Sequence, residues 1–96
     1  MRRRFLVTYD ICNDKRLKKV FKAMNDFGDH LQFSVFFCEL NEVERIRLES
    51  RIKPLMNEKD DQVLIVDLGL AQSQTESDCF YCIGKPLIFQ TRARIV

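Results

Sequence analysis

The run Phe5-Leu6-Val7-Thr8-Tyr9-Asp10-Ile11 is apolar almost throughout and rich in residues that favour a pleated backbone. With no polar alternation along most of its length, it predicts a central strand covered on both faces. Asp10 then stands where strand gives way to helix, a place where side chains held on a rigid scaffold reach solvent. Helical spacing follows: Leu17, Val20, Phe21 and Met24 fall at i, i+3, i+4 and i+7, with Asn13 or Asp14 as the cap, Gly28 as the stop and Phe27 against the core. Residues 30–40 are strand-like, but their alternation breaks at Phe36-Phe37, which predicts a bulge or change of direction there and so two strand positions. Asn41 followed by Glu44 reads as a cap for a second helix over residues 42–56, carrying Leu48, Ile52, Leu55 and Met56 inward and distorted near Pro54. Residues 62–68 form another strand, ended by Gly69. A polar linker over 72–78 precedes renewed strand character at 79–83 and 87–90.

Strand, helix, two strands, helix and strand is the order of a ferredoxin-like βαββαβ sandwich, an α+β fold with both helices on one face of an antiparallel sheet. The expected core is residues 1–69. The other sheet face would lie bare, and in a short chain a second copy is its simplest cover, giving a homodimer through the sheet faces. Residues 70–96 are then a linker and one or more C-terminal strands that pair with the partner subunit.

Composition narrows the class. Ninety-six residues, 46% hydrophobic and 31% charged, describe one globular domain, neither disordered nor membranous. No apolar run approaches the roughly 20 residues of a membrane span, and no secretory signal is evident, so a cytoplasmic protein is expected. Cys12, Cys38, Cys79 and Cys82 are therefore expected as free thiols. Cys79 and Cys82 have the spacing of half a zinc site, but three residues apart on a strand they would point to opposite faces.

Charge is uneven. Residues 1–22 carry eight basic side chains, Arg2, Arg3, Arg4, Lys15, Arg16, Lys18, Lys19 and Lys22, against Asp10 and Asp14. That stretch alone is +6, whereas the whole chain is +2. Such a cluster suits a polyanion, while a lysine face on a helix is also what simple solvation produces.

Tyr9-Asp10-Ile11, Arg16, Lys19-Val20, Gly28 and Gln32-Phe33-Ser34-Val35-Phe36 form a linked series that resembles the small CRISPR-associated nuclease of the adaptation module, the Cas-two family. The resemblance implies a ferredoxin-like homodimer in which Asp10 meets its symmetry mate and a C-terminal strand crosses to the partner's sheet. It implies spacer acquisition as the setting, with DNA or single-stranded RNA and a CRISPR integrase subunit as partners. Magnesium, or manganese in its stead, would be held by Asp10 from both subunits, and Asp10 would be the catalytic residue for phosphodiester hydrolysis. One or two carboxylates plus waters suit that ion. Arg16, Lys18, Lys19 and His30 would contact nucleic acid, with Tyr9, Ser34 and Phe36 in support; for Ser34 and Phe36, packing at the dimer seam is an equal reading. Asp14 is assigned to the helix cap, and Asp60, Asp61 and Asp67 to the far end of the chain. Many family members carry arginine at His30, a basic residue at Leu17 and glutamate at Phe37, so this chain has fewer charges around Asp10. Two functions follow: a metal-dependent endonuclease, or a scaffold that bridges integrase subunits and binds DNA. A metabolite-binding regulatory domain is disfavoured by the basic helix and the lack of a glycine-rich loop.

Overall fold

The computed structural model describes residues 1–71 and 80–87. β1 (Arg3–Asp10) leads into α1 (Asp14–Met24), β2 (Asp29–Gln32), β3 (Val35–Leu40), α2 (Glu42–Ile52), a 3-10 turn (Lys53–Leu55) and β4 (Gln62–Leu70). The sheet order is β2-β3-β1-β4, and every neighbouring pair is antiparallel. Each helix connects two parallel strands with a third strand between them, which is the ferredoxin-like α+β arrangement expected.

Local chemistry explains the elements. Asn13, in extended backbone, accepts from the amides of Lys15 and Arg16 and caps α1, so Asp14, to which the cap was assigned, is instead the first residue of the helix. Asn41 and Glu44 form a reciprocal capping box for α2. α2 stops at Ile52, earlier than its periodicity predicts, and Pro54 occupies the tighter turn that follows. Phe5, Val7 and Tyr9 of β1 meet Phe36, Cys38 and Leu40 of β3, together with Val20, Ala23 and Met24 of α1 and Leu48 and Ile52 of α2. Both helices therefore cover the same face.

Three details differ from expectation. The chain reverses at Phe33-Ser34, between β2 and β3, and not at Phe36-Phe37. Phe36 and Phe37 are both buried because β3 is covered on both sides: Phe36 faces the helices, and Phe37 meets the ring of Phe80, their centroids 5.2 Å apart. Gly69 does not end β4. It has φ +101° and lies beside a register shift, where Arg4 pairs with Gly69 and Phe5 with Asp67, so Leu68 is left over as a bulge. Gly28 is not needed for a left-handed helix stop, since Asn25 caps α1 in ordinary helical backbone. A Cβ at Gly28 would run into Cys38 Sγ and the Phe37 carbonyl oxygen, so glycine is required for close approach to β3.

The face away from the helices is apolar and open along β4, where Leu64, Val66 and Leu68 are 50%, 44% and 46% exposed. Of the expected C-terminal strands, residues 80–83 have no strand pairing within one chain, and 79 and 88–90 lie outside the described residues. Cys12, Cys38 and Cys82 form no disulfide, while Cys79 lies outside the described residues.

Candidate functional site

β1 delivers Asp10 to solvent at its C-terminal end, opposite Gln62 of β4. On the other side the Tyr9 amide donates to the Ser34 carbonyl at 3.1 Å, which sets the β2–β3 turn beside Asp10. The Asp10 carboxylate makes no hydrogen bond or ion pair among the described residues. Beneath it, the Tyr9 ring stacks on Phe36 at 6.2 Å, and Phe36 lies 5.0 Å from the His30 ring and 5.7 Å from that of Phe21. His30 is exposed, with Nε2 2.8 Å from the Phe33 carbonyl, so that nitrogen carries the proton in this contact. Burial pushes the Tyr9 hydroxyl above its ordinary pKa; the nearby Ser34 side chain opposes the shift without a well-formed hydrogen bond. Five of the predicted residues, Tyr9, Asp10, His30, Ser34 and Phe36, thus share one end of the sheet.

The basic residues divide. Lys18 and Lys19 are exposed on α1 and make no ion pair among the described residues. Arg16 is instead committed: its Nε donates to Asp61 Oδ2 at 2.7 Å and its Nη2 to Asp61 Oδ1 at 3.1 Å. This pairing raises Arg16 and holds Asp61 well below the usual carboxylate range, with the Asn57 and Cys12 amides assisting and burial opposing. The tri-arginine start is engaged as well. Arg2 pairs with Glu44 at 2.7 Å and Arg3 with Asp67 at 2.9 Å, while Arg4 Nε lies 3.8 Å from Glu39. These residues stand at the other end of the sheet from Asp10, so the +6 stretch is not one patch.

Sequence reasoning misplaced Asp60 and Asp61. Because β4 runs antiparallel to β1, Gln62 lies opposite Asp10, and the two acids just before it belong to the Asp10 end. Only Asp67, opposite Phe5, is remote. The signal was available in the ferredoxin-like fold expected, which sets the last strand antiparallel beside the first.

No group of three or more His, Cys, Asp or Glu side chains suited to a metal occurs among the described residues. A single chain supplies Asp10 as a free carboxylate, and Asp61 is already saturated by donors. A hydrated magnesium ion takes one or two carboxylates, so Asp10 suits it alone or with a second carboxylate beside it.

Fold and site together define a ferredoxin-like α+β domain with an open acidic strand end beside a basic helix face. Residues 1–76 match the family described as CRISPR associated protein Cas2. The chain is 44% identical over 69 residues to a CRISPR-associated endoribonuclease Cas2 of Geobacter sulfurreducens, covering 72% of this chain and 73% of that one. It is 41% identical over 68 residues to one from Rhodospirillum rubrum, covering 71% and 67%. A crystal structure of Streptococcus pyogenes Cas2 is similar with a TM-score of 0.67 and 27% identity, over 84% of this chain and 99% of that one. The chain belongs to the Cas2 family. No helix among the described residues is long and apolar enough to cross a membrane.

Proposed function

We propose that this chain is the dimeric nucleic-acid-binding subunit of CRISPR spacer acquisition and that it hydrolyses phosphodiester bonds of RNA or DNA with magnesium at Asp10 paired across the dimer. The observation that carries this reading is the exposed Asp10 carboxylate, held by the central strand at its end and without a hydrogen bond or ion pair among the described residues. Two such strand ends, brought together by the bare face of Leu64, Val66 and Leu68, supply a pair of carboxylates. The endoribonuclease names of the curated relatives support the chemistry. Magnesium bound there would supply an activated water and neutralise phosphate charge. Lys18 and Lys19 hold the flanking phosphates by charge, and Tyr9 and Phe36 fix the strand end from below. His30 and Ser34 border the same opening from the β2–β3 hairpin.

A second reading is favoured by one observation: Arg16 is turned to Asp61, which leaves few cations beside Asp10. On that reading the dimer is a scaffold that bridges integrase subunits and binds DNA over its lysine faces, without cutting. The deciding experiment measures cleavage of labelled single-stranded RNA and double-stranded DNA, with magnesium or EDTA, by wild type and Asp10→Asn. Magnesium-dependent cutting lost at least 100-fold in Asp10→Asn establishes the enzyme. No cutting by wild type, with duplex binding retained by Asp10→Asn and lost on reversing Lys18 and Lys19 to Glu, establishes the scaffold.

A further inference from the structure

Asp61 accepts four hydrogen bonds through its two carboxylate oxygens. Oδ1 accepts from the Cys12 amide at 2.9 Å and Arg16 Nη2 at 3.1 Å. Oδ2 accepts from Arg16 Nε at 2.7 Å and the Asn57 amide at 2.8 Å. Four donors fill the four in-plane acceptor positions of a carboxylate, and the side chain has no accessible surface. The donors come from three separate pieces of chain: the turn that follows Asp10, the first turn of α1, and the loop that leads into β4. Cys12 Sγ adds a second tie across the same gap, 2.9 Å from the Asp60 carbonyl.

From this we infer that Asp61 and Arg16 form a clamp that positions Asp10, and that Arg16 is a positioning residue, not a phosphate contact. Asp10 is two residues from Cys12, and its backbone pairs with Gln62, the neighbour of Asp61. The clamp therefore grips the chain immediately past Asp10 and immediately beside its strand partner. Arg16 already holds that carboxylate through two parallel N–H bonds, the geometry that makes arginine pairs strong. Lysine cannot reproduce that fork. The assignment to Asp10 rests on the function proposed above; the clamp itself does not.

The test compares Arg16→Gln, Arg16→Lys, Asp61→Asn and the Arg16→Gln/Asp61→Asn double variant with wild type and Lys19→Gln. Amide hydrogen exchange is read at residues 10–13 and at Asn57. If the clamp exists, exchange there speeds at least tenfold in Arg16→Gln and in Asp61→Asn, Arg16→Lys does not restore it, and the double variant is no worse than either single one. Unchanged exchange at Cys12 and Asn57 in Asp61→Asn would overturn it. Should Asp61→Asn fail to fold, Arg16→Lys carries the same readout with the lysine charge retained.

Duplex binding across a salt series separates the two roles of Arg16. Lys19→Gln lowers the slope of log affinity against log salt by about 0.9, the value for one lost phosphate contact, whereas Arg16→Gln leaves the slope unchanged. An equal fall in Arg16→Gln would make Arg16 a phosphate ligand and sink the reassignment. Where wild type cleaves, Asp61→Asn lowers kcat at least tenfold with KM little changed, as expected for a displaced catalytic group. Cleavage by Asp61→Asn at the wild-type kcat would remove the link to Asp10. A wild type that neither binds nor cuts nucleic acid sinks the proposed function, while exchange still decides the clamp.

Discussion

Gly28 is packed so closely on β3 that a methyl group would meet Cys38 Sγ and the Phe37 carbonyl. The sulfur could rotate aside, but the carbonyl belongs to a strand paired on both edges and cannot move alone. Gly28→Ala is therefore expected to lower stability by about 1–3 kcal/mol, the range for overpacking a tight interior, seen as a reduced urea midpoint with an unchanged slope. An unchanged midpoint would show that the turn yields. At this scale the sequence was informative where a residue acts through its immediate neighbours. Asn41 was legible as a cap, and Asn13 as one of two candidates with Asp14, because the cap chemistry lies within three residues, and Asp10 was legible as a strand end. The burial of Phe37 was not, because it depends on Phe80, forty-three positions along the chain. Nor was the work of Gly28, which depends on how near β3 comes.

Among the elements, the α2–β4 loop is tied to the β1–α1 turn through one carboxylate, and that tie is sensitive to acid. Arg16 and the two amides hold the folded Asp61 below its ordinary pKa of 3.8. A group depressed in this way contributes stability that is fully present above about pH 4 and is lost as pH falls towards the folded value. Wild type is therefore expected to lose stability steeply below pH 4, and Asp61→Asn, weaker at neutral pH, to show a flatter decline over that interval. Urea midpoints measured every half unit from pH 5 to pH 2 read this directly; parallel curves would assign the acid sensitivity elsewhere. The order of elements was readable from periodicity because the strands and helices are separated by strong turn chemistry. The division between the second and third strands could not be located from sequence, since two adjacent buried phenylalanines break alternation just as a turn does. The clamp was not seen because Arg16 and Asp61 are forty-five positions apart and meet only once β4 is set against β1.

Taken whole, the molecule has one helix-covered sheet face and one apolar face open along β4. We propose above that a second copy covers it, and the claim can be tested without nucleic acid. Val66→Lys puts a charge in the middle of that face while leaving the helix-side core untouched, so on this proposal wild type is expected to sediment at twice 11.4 kDa and Val66→Lys as a monomer. A Val66→Lys variant that still sediments as a dimer would place the interface elsewhere. Fold class was legible at this scale because six elements in that order admit few layouts. The distribution of charge was not: a stretch of +6 in the sequence becomes three engaged arginines at one end, a clamped arginine at the other, and lysines along a helix between them.

The antiparallel pairing of Arg3 with Leu70 gathers Met1, Arg2 and Ala71 at the end of the sheet opposite Asp10. Seven steps of β1 separate Arg3 from Asp10, about 23 Å at roughly 3.3 Å per residue. A dye or surface tether attached at Met1 therefore points away from the acidic strand end. Single-molecule or biosensor measurements built on that attachment would present the opposite pole of the protein to its ligand in solution, unshadowed by the support.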